Sequence, residues 1–372
     1  MAQSDDYSQA AGLKRVFLAL SIAVLTGLIA YVGRSIIIPV IVATFLSFLI
    51  FTLKQSVLNL PAVGRFFPGW LAYILAFAAI GSLFIVFIEI IRSNADALIE
   101  AAPLYQNRLQ QISQDAIASV KELGFIPAEF VGGFDSARSR ALSMIDPFLR
   151  EFGSSVRSLA SSSITIFLYT IFMLLERGRI FKKINIVSSG HGQQEAVNET
   201  ITEIGELIKQ YITVKTVTNL ITASISFTIM YFIGVDFAGF WALLIFILNY
   251  IPIVGAVTAI SLPVTLLLVQ PEGGGVQQAL LALGLLVGAE QTMSSAIEPR
   301  LIGRTLNLSP LVILLSLAVW GAIWGFAGML LAVPITVTVM IFLTQFESTR
   351  PIAIFLSDNG QIAKINQGKL SA

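Results

Sequence analysis

Apolar residues gather into eight runs separated by short polar stretches, at roughly 13–33, 35–53, 69–91, 158–175, 213–234, 237–270, 276–297 and 309–345. A helix crosses the hydrocarbon core of a bilayer in about 20 such residues, so six of the runs each predict one transmembrane helix. The runs 237–270 and 309–345 are too long for one crossing. Two crossings with a turn need about 40 residues, and these runs hold about 34 and 37. Each is also broken near its middle. Asn249-Tyr250-Ile251-Pro252-Ile253-Val254-Gly255 interrupts the first and Gly321, Gly325 and Gly328 the second, after which a Pro-Val-Thr at Pro263 and a Pro-Ile-Thr at Pro334 follow. Each block therefore predicts a pair of short helices or a re-entrant hairpin. Free backbone groups survive at membrane depth only where protein or a watery cavity satisfies them, so broken segments mark sites.

Two polar regions carry a helical period. Leu98, Ala102, Tyr105, Leu109, Ile112, Ala116, Val120 and Leu123 recur every three or four residues, close to a heptad. Gly124, Pro127 and Gly132-Gly133 break this pattern before a second stretch through Met144 and Phe148. Val197, Ile201, Ile204, Ile208 and Tyr211 form an apolar face on a further helix, read as packed on the bundle or at the interface. The predicted fold is an all-α polytopic membrane helix bundle of about eight hydrophobic segments, two of them broken, with a helical external insert. Its divisions are helices 1–3 in 1–91, the insert in 92–157, a fourth helix in 158–175, an amphipathic region in 176–214, a transport core in 215–346 and a tail in 347–372.

Charge orients this bundle. Lys14, Arg15, Lys54, Arg65, Arg177, Arg179, Lys182, Lys183, Lys209, Lys215, Arg300, Arg304, Arg350, Lys364 and Lys369 can all lie on one side, and only Arg34 falls in a short loop on the other. The positive-inside rule then makes both termini cytoplasmic and the insert external. It follows that block 237–270 starts and finishes outside and block 309–345 starts and finishes inside. Such an inverted pair places a site near the bilayer midplane. Composition agrees with the class: 56% of residues are hydrophobic and 12% charged, against about 25% charged in soluble domains. A net charge of +1 gives no field for nucleic acid. With no cysteine and one histidine, His191, there is no disulfide framework, thiol nucleophile or multi-histidine metal centre. No phosphate loop, zinc motif or nucleophile elbow occurs, so neither an ATP-driven pump nor an enzyme is expected, and no cofactor.

Ionisable groups inside the membrane are costly and usually have a partner or a task. Glu290, beside Gln291 and Thr292 in the run 276–297, is the foremost candidate for the substrate or coupling-ion pathway. Its alternative reading is a carboxylate bonded to a neighbouring helix. Asn249 offers an amide to a polar ligand or caps the broken helix. Thr258, Thr265 and Thr336 offer hydroxyls to the same path, although such groups commonly bond their own backbone. Pro252, Gly255, Pro263, Gly325, Gly328 and Pro334 are the candidate hinges or breaks. Glu298 and Arg300, in Glu298-Pro299-Arg300, are candidate gate residues or an ordinary interfacial pair.

Asn249-Tyr250-Ile251-Pro252 with Gly255, Glu298-Pro299-Arg300-Leu301-Ile302-Gly303 leading to Leu308-Ser309-Pro310, and Gly325 with Gly328-Met329-Leu330-Leu331-Ala332-Val333-Pro334 appear in an order and spacing that resembles the autoinducer-2 exporter family, also called the PerM permease family. The resemblance implies a multi-pass transporter of the bacterial inner membrane, homo-oligomeric, in contact with the lipid bilayer. It implies export of a small polar solute in some relatives and sodium/proton antiport in others, with H+ or Na+ as partner ions. Three readings therefore stand: an exporter of a small polar solute such as autoinducer-2, a monovalent cation/proton antiporter, and a membrane scaffold acting through the external helices.

Overall fold

A computed structural model describes residues 17–18, 21–22, 24–58, 68–122, 162–180, 182–187, 194–302 and 307–360. The helices are α1 (24–32), α2 (Arg34–Leu58), α3 (Gly69–Glu122), α4 (162–180), α5 (Gln194–Ile233), α6 (Ala238–Leu248), α7 (Val254–Val269), α8 (Val276–Thr292), a π-helix (Met293–Ile297), α9 (Glu298–Ile302), α10 (Pro310–Thr344) and α11 (Arg350–Leu356). No sheet forms among the described residues, and the all-α class holds. Among the described residues, five helices are long and apolar enough to span: Arg34–Gln55, Gly69–Asn94, Asn198–Ile233, Val276–Leu301 and Pro310–Thr344. Their outward faces carry large apolar side chains such as Leu83, Ile85, Phe232 and Leu280, the surface that a bilayer solvates.

Two helices run further than the apolar runs that seeded them. α3 is a single helix of 54 residues, about 80 Å long, so the third span continues directly into the heptad-patterned insert. α5 has 40 residues and joins the amphipathic face around Ile201–Ile208 to the fifth span without a break. The boundaries drawn at 91/92 and 214/215 thus fall inside helices, because hydropathy changes there while backbone hydrogen bonding does not. The expected break at Gly124 and the second stretch through Phe148 lie outside the described residues, as do His191 and Arg304.

The described residues form two compact units, one drawn from 1–47, 165–200 and 307–372, the other from 48–164 and 201–306. In the second, block 237–270 is a hairpin of two helices of 11 and 16 residues. These reach about 16 and 24 Å, each short of the roughly 30 Å core. Phe240, Trp241, Leu244 and Ile245 of α6 share one buried cluster with Ala259, Ile260 and Leu267 of α7, Ala282 and Leu286 of α8, Met230 of α5 and Tyr105 of α3. The hairpin closes at its base through Gln270: its Oε1 accepts from the Asp236 amide at 3.0 Å and its Nε2 donates to Gly234 O at 2.8 Å. Block 237–270 therefore begins and ends at the same place.

The hairpin tip is tight for a definite reason. A Cβ at Gly255 would fall on the carbonyl of Leu248, so only glycine lets the returning helix pass. Ile253 sits at φ 63°, ψ −62°, and the Val254 amide donates to Pro252 O at 2.6 Å. This is the rare, strained hand of the γ-turn, held by a β-branched residue.

Block 309–345 in the other unit repeats the device. α10 breaks at Gly325, with φ 62° and ψ −139°, and a Cβ at Gly328 would fall on the carbonyl of Trp320. In an unbroken helix those residues lie about 12 Å apart, so the chain reverses at Gly325. Its tip is pinned by Trp324 Nε1 donating to Ala30 O at 2.8 Å. The start of the block is tied to the segment that follows it: the Ser309 amide donates to Leu356 O at 3.1 Å, and Leu308 bridges Ser357.

Candidate functional site

The polar residues of the second unit collect where the tip of the 237–270 hairpin meets α5 and α8. Asn249 and Glu290, singled out separately in the sequence, come together: Asn249 Nδ2 donates to Glu290 Oε2 at 2.7 Å. Asn249 is buried and Glu290 half-buried. Tyr250 Oη and Thr216 Oγ1 lie 2.6 Å apart, and Asn219 Nδ2 donates to Phe246 O at 3.1 Å. Two helices, α5 and α8, thus grip the tip. Glu290 stands about 21 Å along α8 from Val276, and Asn219 about 21 Å along α5 from Ile233; the two helices present their polar groups at one level.

Glu298 pairs with Lys215, at 2.7 Å for Oε1 and 2.8 Å for Oε2. The side chains are only 17% and 10% exposed, so this is a largely desolvated pair. The expected Glu298–Arg300 pair does not form; Arg300 is exposed on α9. The π-helix at Met293–Ile297 explains how Glu298 reaches inward. Eight residues of α-helix turn about 800°, leaving Glu298 some 80° from Glu290; a π-bulge absorbs one residue, and the remaining seven turn about 700°, within about 20° of two full turns. Both carboxylates then face the same side.

Two groups here lack hydrogen-bond partners among the described residues: Asn249 Oδ1 and Tyr211 Oη. Both residues are buried, at 5% and 4% exposure. Tyr211, Lys215 and Asn219 lie four residues apart on one face of α5, and Glu298 and Tyr250 are the charged and polar neighbours that act on Tyr211. Lys215 and Glu298 in turn act on Glu290.

The other candidates separate from this cluster. Gln291 is exposed and accepts from Ser294 and Ser295 at 3.3 and 3.2 Å. Thr258 donates to Val254 O at 2.8 Å, the local bond that hydroxyls in membrane helices favour. Thr265 is exposed, whereas Thr336 is buried in the other unit. Pro252 and Gly255 shape the tip and Pro263 is buried within α7. Gly325, Gly328 and Pro334 belong to α10, where Pro334 O accepts from Thr338 at 2.8 Å.

Sequence reading missed the buried polar stripe of α5: Tyr211, Lys215, Thr218, Asn219, Thr222 and Ser226. Its signal was present, since the residues recur at three- and four-residue steps through an apolar run. On the far side of the hairpin, Tyr105 Oη donates to Asp236 Oδ2 at 2.6 Å. Burial first, then the hydrogen bond and charge of Asp236, hold the Tyr105 phenol above its ordinary range. Asp236 O also accepts from Trp241 Nε1 at 3.0 Å, so the insert helix is tied to the hairpin base.

A sequence profile described as AI-2E family transporter matches residues 20–348. The chain belongs to the AI-2E transporter family. It is similar to the AI-2 transport protein TqsA of Escherichia coli K12, 29% identical over 93% of this chain and 96% of that protein. A provisionally named transport protein of Haemophilus influenzae is 29% identical over 93% of this chain and 97% of its own length. The provisionally named transport protein YhhT of Escherichia coli K12 is 34% identical over 40% of this chain and 42% of its own. All three are named for transport, and nothing in this AI-2E family member points to catalysis.

Proposed function

We propose that this AI-2E family transporter is a homo-oligomeric secondary transporter of the bacterial inner membrane, with cytoplasmic termini, that exports a small polar solute such as autoinducer-2. The observation that carries the reading is the bond between Asn249, at the tip of a broken segment, and Glu290, inside a membrane-length helix. A carboxylate in such a helix needs a task or a partner, and here its partner is the element best built to move. In this reading the two broken blocks enter from opposite faces, and displacement of the 237–270 tip exposes the polar groups of α5 and α8 to alternate sides. TqsA's name as an AI-2 transport protein supports the choice of solute.

The test is efflux from proteoliposomes under an imposed proton gradient, comparing autoinducer-2 with unrelated solutes. Glu290→Gln is expected to uncouple efflux from the gradient; efflux that keeps its full gradient dependence in that variant removes Glu290 from the coupling step. A second reading, monovalent cation/proton antiport, is favoured by one observation, the two carboxylates facing a single lysine. It predicts sodium-dependent proton movement without any organic solute.

A further inference from the structure

Three features of the hairpin site bear on what it binds. Lys215 is already committed to Glu298 at 2.7 Å, so the cluster holds no spare positive charge for an anion. Asn249 turns its donor end to Glu290, so its Oδ1 points elsewhere and a cation held by the carboxylate would meet the amide hydrogens. Asn249 Oδ1 and Tyr211 Oη are both buried and lack partners among the described residues. A buried acceptor left unpaired costs about 1–3 kcal/mol, and a ligand that brings hydroxyl hydrogens recovers it.

We propose that Asn249 Oδ1 and Tyr211 Oη are the docking atoms for the hydroxyl groups of an uncharged polyhydroxylated solute, and that Glu290 is a positioning residue that holds the Asn249 amide in the orientation this requires. The inference rests on the transporter reading only in taking the bound solute to be the cargo. Anions are excluded because Glu290 and Glu298 outnumber Lys215. An uncharged ligand is favoured over a simple cation because a cation held at Glu290 Oε2 would meet the Asn249 amide hydrogens rather than the amide oxygen. The strained γ-turn at Ile253 lies four residues beyond Asn249 and lets the tip shift as solute enters, since relaxation there offsets part of the cost of moving it.

Equilibrium dialysis of the detergent-solubilised full chain tests this with radiolabelled D-ribose as the uncharged probe, and D-ribose 5-phosphate and sodium ion as the charged ones. Ribose is expected to bind saturably and to be displaced by autoinducer-2 but not by the phosphate ester or sodium. Asn249→Ala and Tyr211→Phe each weaken ribose binding about tenfold, the worth of one hydrogen bond. Glu290→Ala matches Asn249→Ala, whereas Glu290→Gln, whose amide oxygen still accepts from Asn249, rescues most of the loss; a carboxylate that bound solute or ion directly would not be rescued. Saturable sodium binding that depends on Glu290, absence of saturable ribose binding to the wild type, or indifference of ribose to Asn249→Ala each overturns the proposal. Binding that behaves as described in a protein that moves no solute would instead overturn the transporter reading and leave the site standing.

Discussion

Removing Lys215 strands a carboxylate. Lys215 and Glu298 are 2.7 Å apart with side chains 10% and 17% exposed, and at an effective dielectric of about 20 such a contact is worth roughly 6 kcal/mol of gross attraction. Desolvation of both groups offsets most of that gain in the intact pair. It does not offset the loss of one partner. Lys215→Met is therefore expected to destabilise the fold by about 3 kcal/mol, the lower end of the range for breaking a buried pair, because Glu298 keeps some access to solvent. Glu298→Met should cost a similar amount. The double variant Lys215→Met/Glu298→Met removes both charges and should recover most of either loss, leaving about 1 kcal/mol and giving a coupling energy of about 5 kcal/mol in a double-mutant cycle. Reversible unfolding in mixed micelles measures all four proteins. If the two single effects add in the double variant to within about 0.5 kcal/mol, the pair is not coupled and the π-helix has not delivered Glu298 to Lys215.

Other consequences are as direct. Gly255→Ala and Gly328→Ala each place a methyl on a carbonyl oxygen across a hairpin, and each should cost at least about 1–3 kcal/mol, whereas Gly284→Ala, with nothing within 4 Å, should be neutral or slightly stabilising in the same unfolding assay. Ile253→Gly relieves the γ-turn and should stabilise the protein by about 1 kcal/mol, read as a higher unfolding midpoint; destabilisation would mean that the turn holds no strain. Tyr105→Phe removes a hydrogen bond to a carboxylate and should cost about 1.5–3 kcal/mol. Because Tyr105 is held above its ordinary value, its contribution is full below the unfolded tyrosine value of about 10 and declines as pH rises beyond it. Stability of the wild type should therefore fall in that alkaline range more steeply than that of Tyr105→Phe, and parallel profiles would refute the assignment.

The hairpins were legible because their evidence is local: run length, a Pro or Gly break, and charge in the flanking loops all lie within one stretch of chain. The structure even gives the two blocks one construction, a glycine seated against a carbonyl seven or eight residues back. Asn249 and Glu290 were each visible as a polar residue in an apolar setting, yet their pairing was not, because partners 41 residues apart are chosen by packing. Lys215 was read only as a marker of orientation, and its partner lies 83 residues away. Glu298 was matched to Arg300 by proximity in sequence. Met293-Ser294-Ser295-Ala296-Ile297 carries no signal of a π-helix, so the rotation that turns Glu298 toward Lys215 could not be foreseen. Hydropathy likewise hid the continuity of α3 and α5, since helices persist where apolar character stops.

The central claim is that the Asn249 tip and Glu290 form the transport site, and flux with a controlled gradient tests it most directly. Proteoliposomes loaded with autoinducer-2 should release it faster under an imposed proton gradient than without one. Release at sub-saturating solute should fall about tenfold with Asn249→Ala and lose its gradient dependence with Glu290→Gln. Wild-type release that ignores the proton gradient, or that is unchanged by either substitution, would contradict the account.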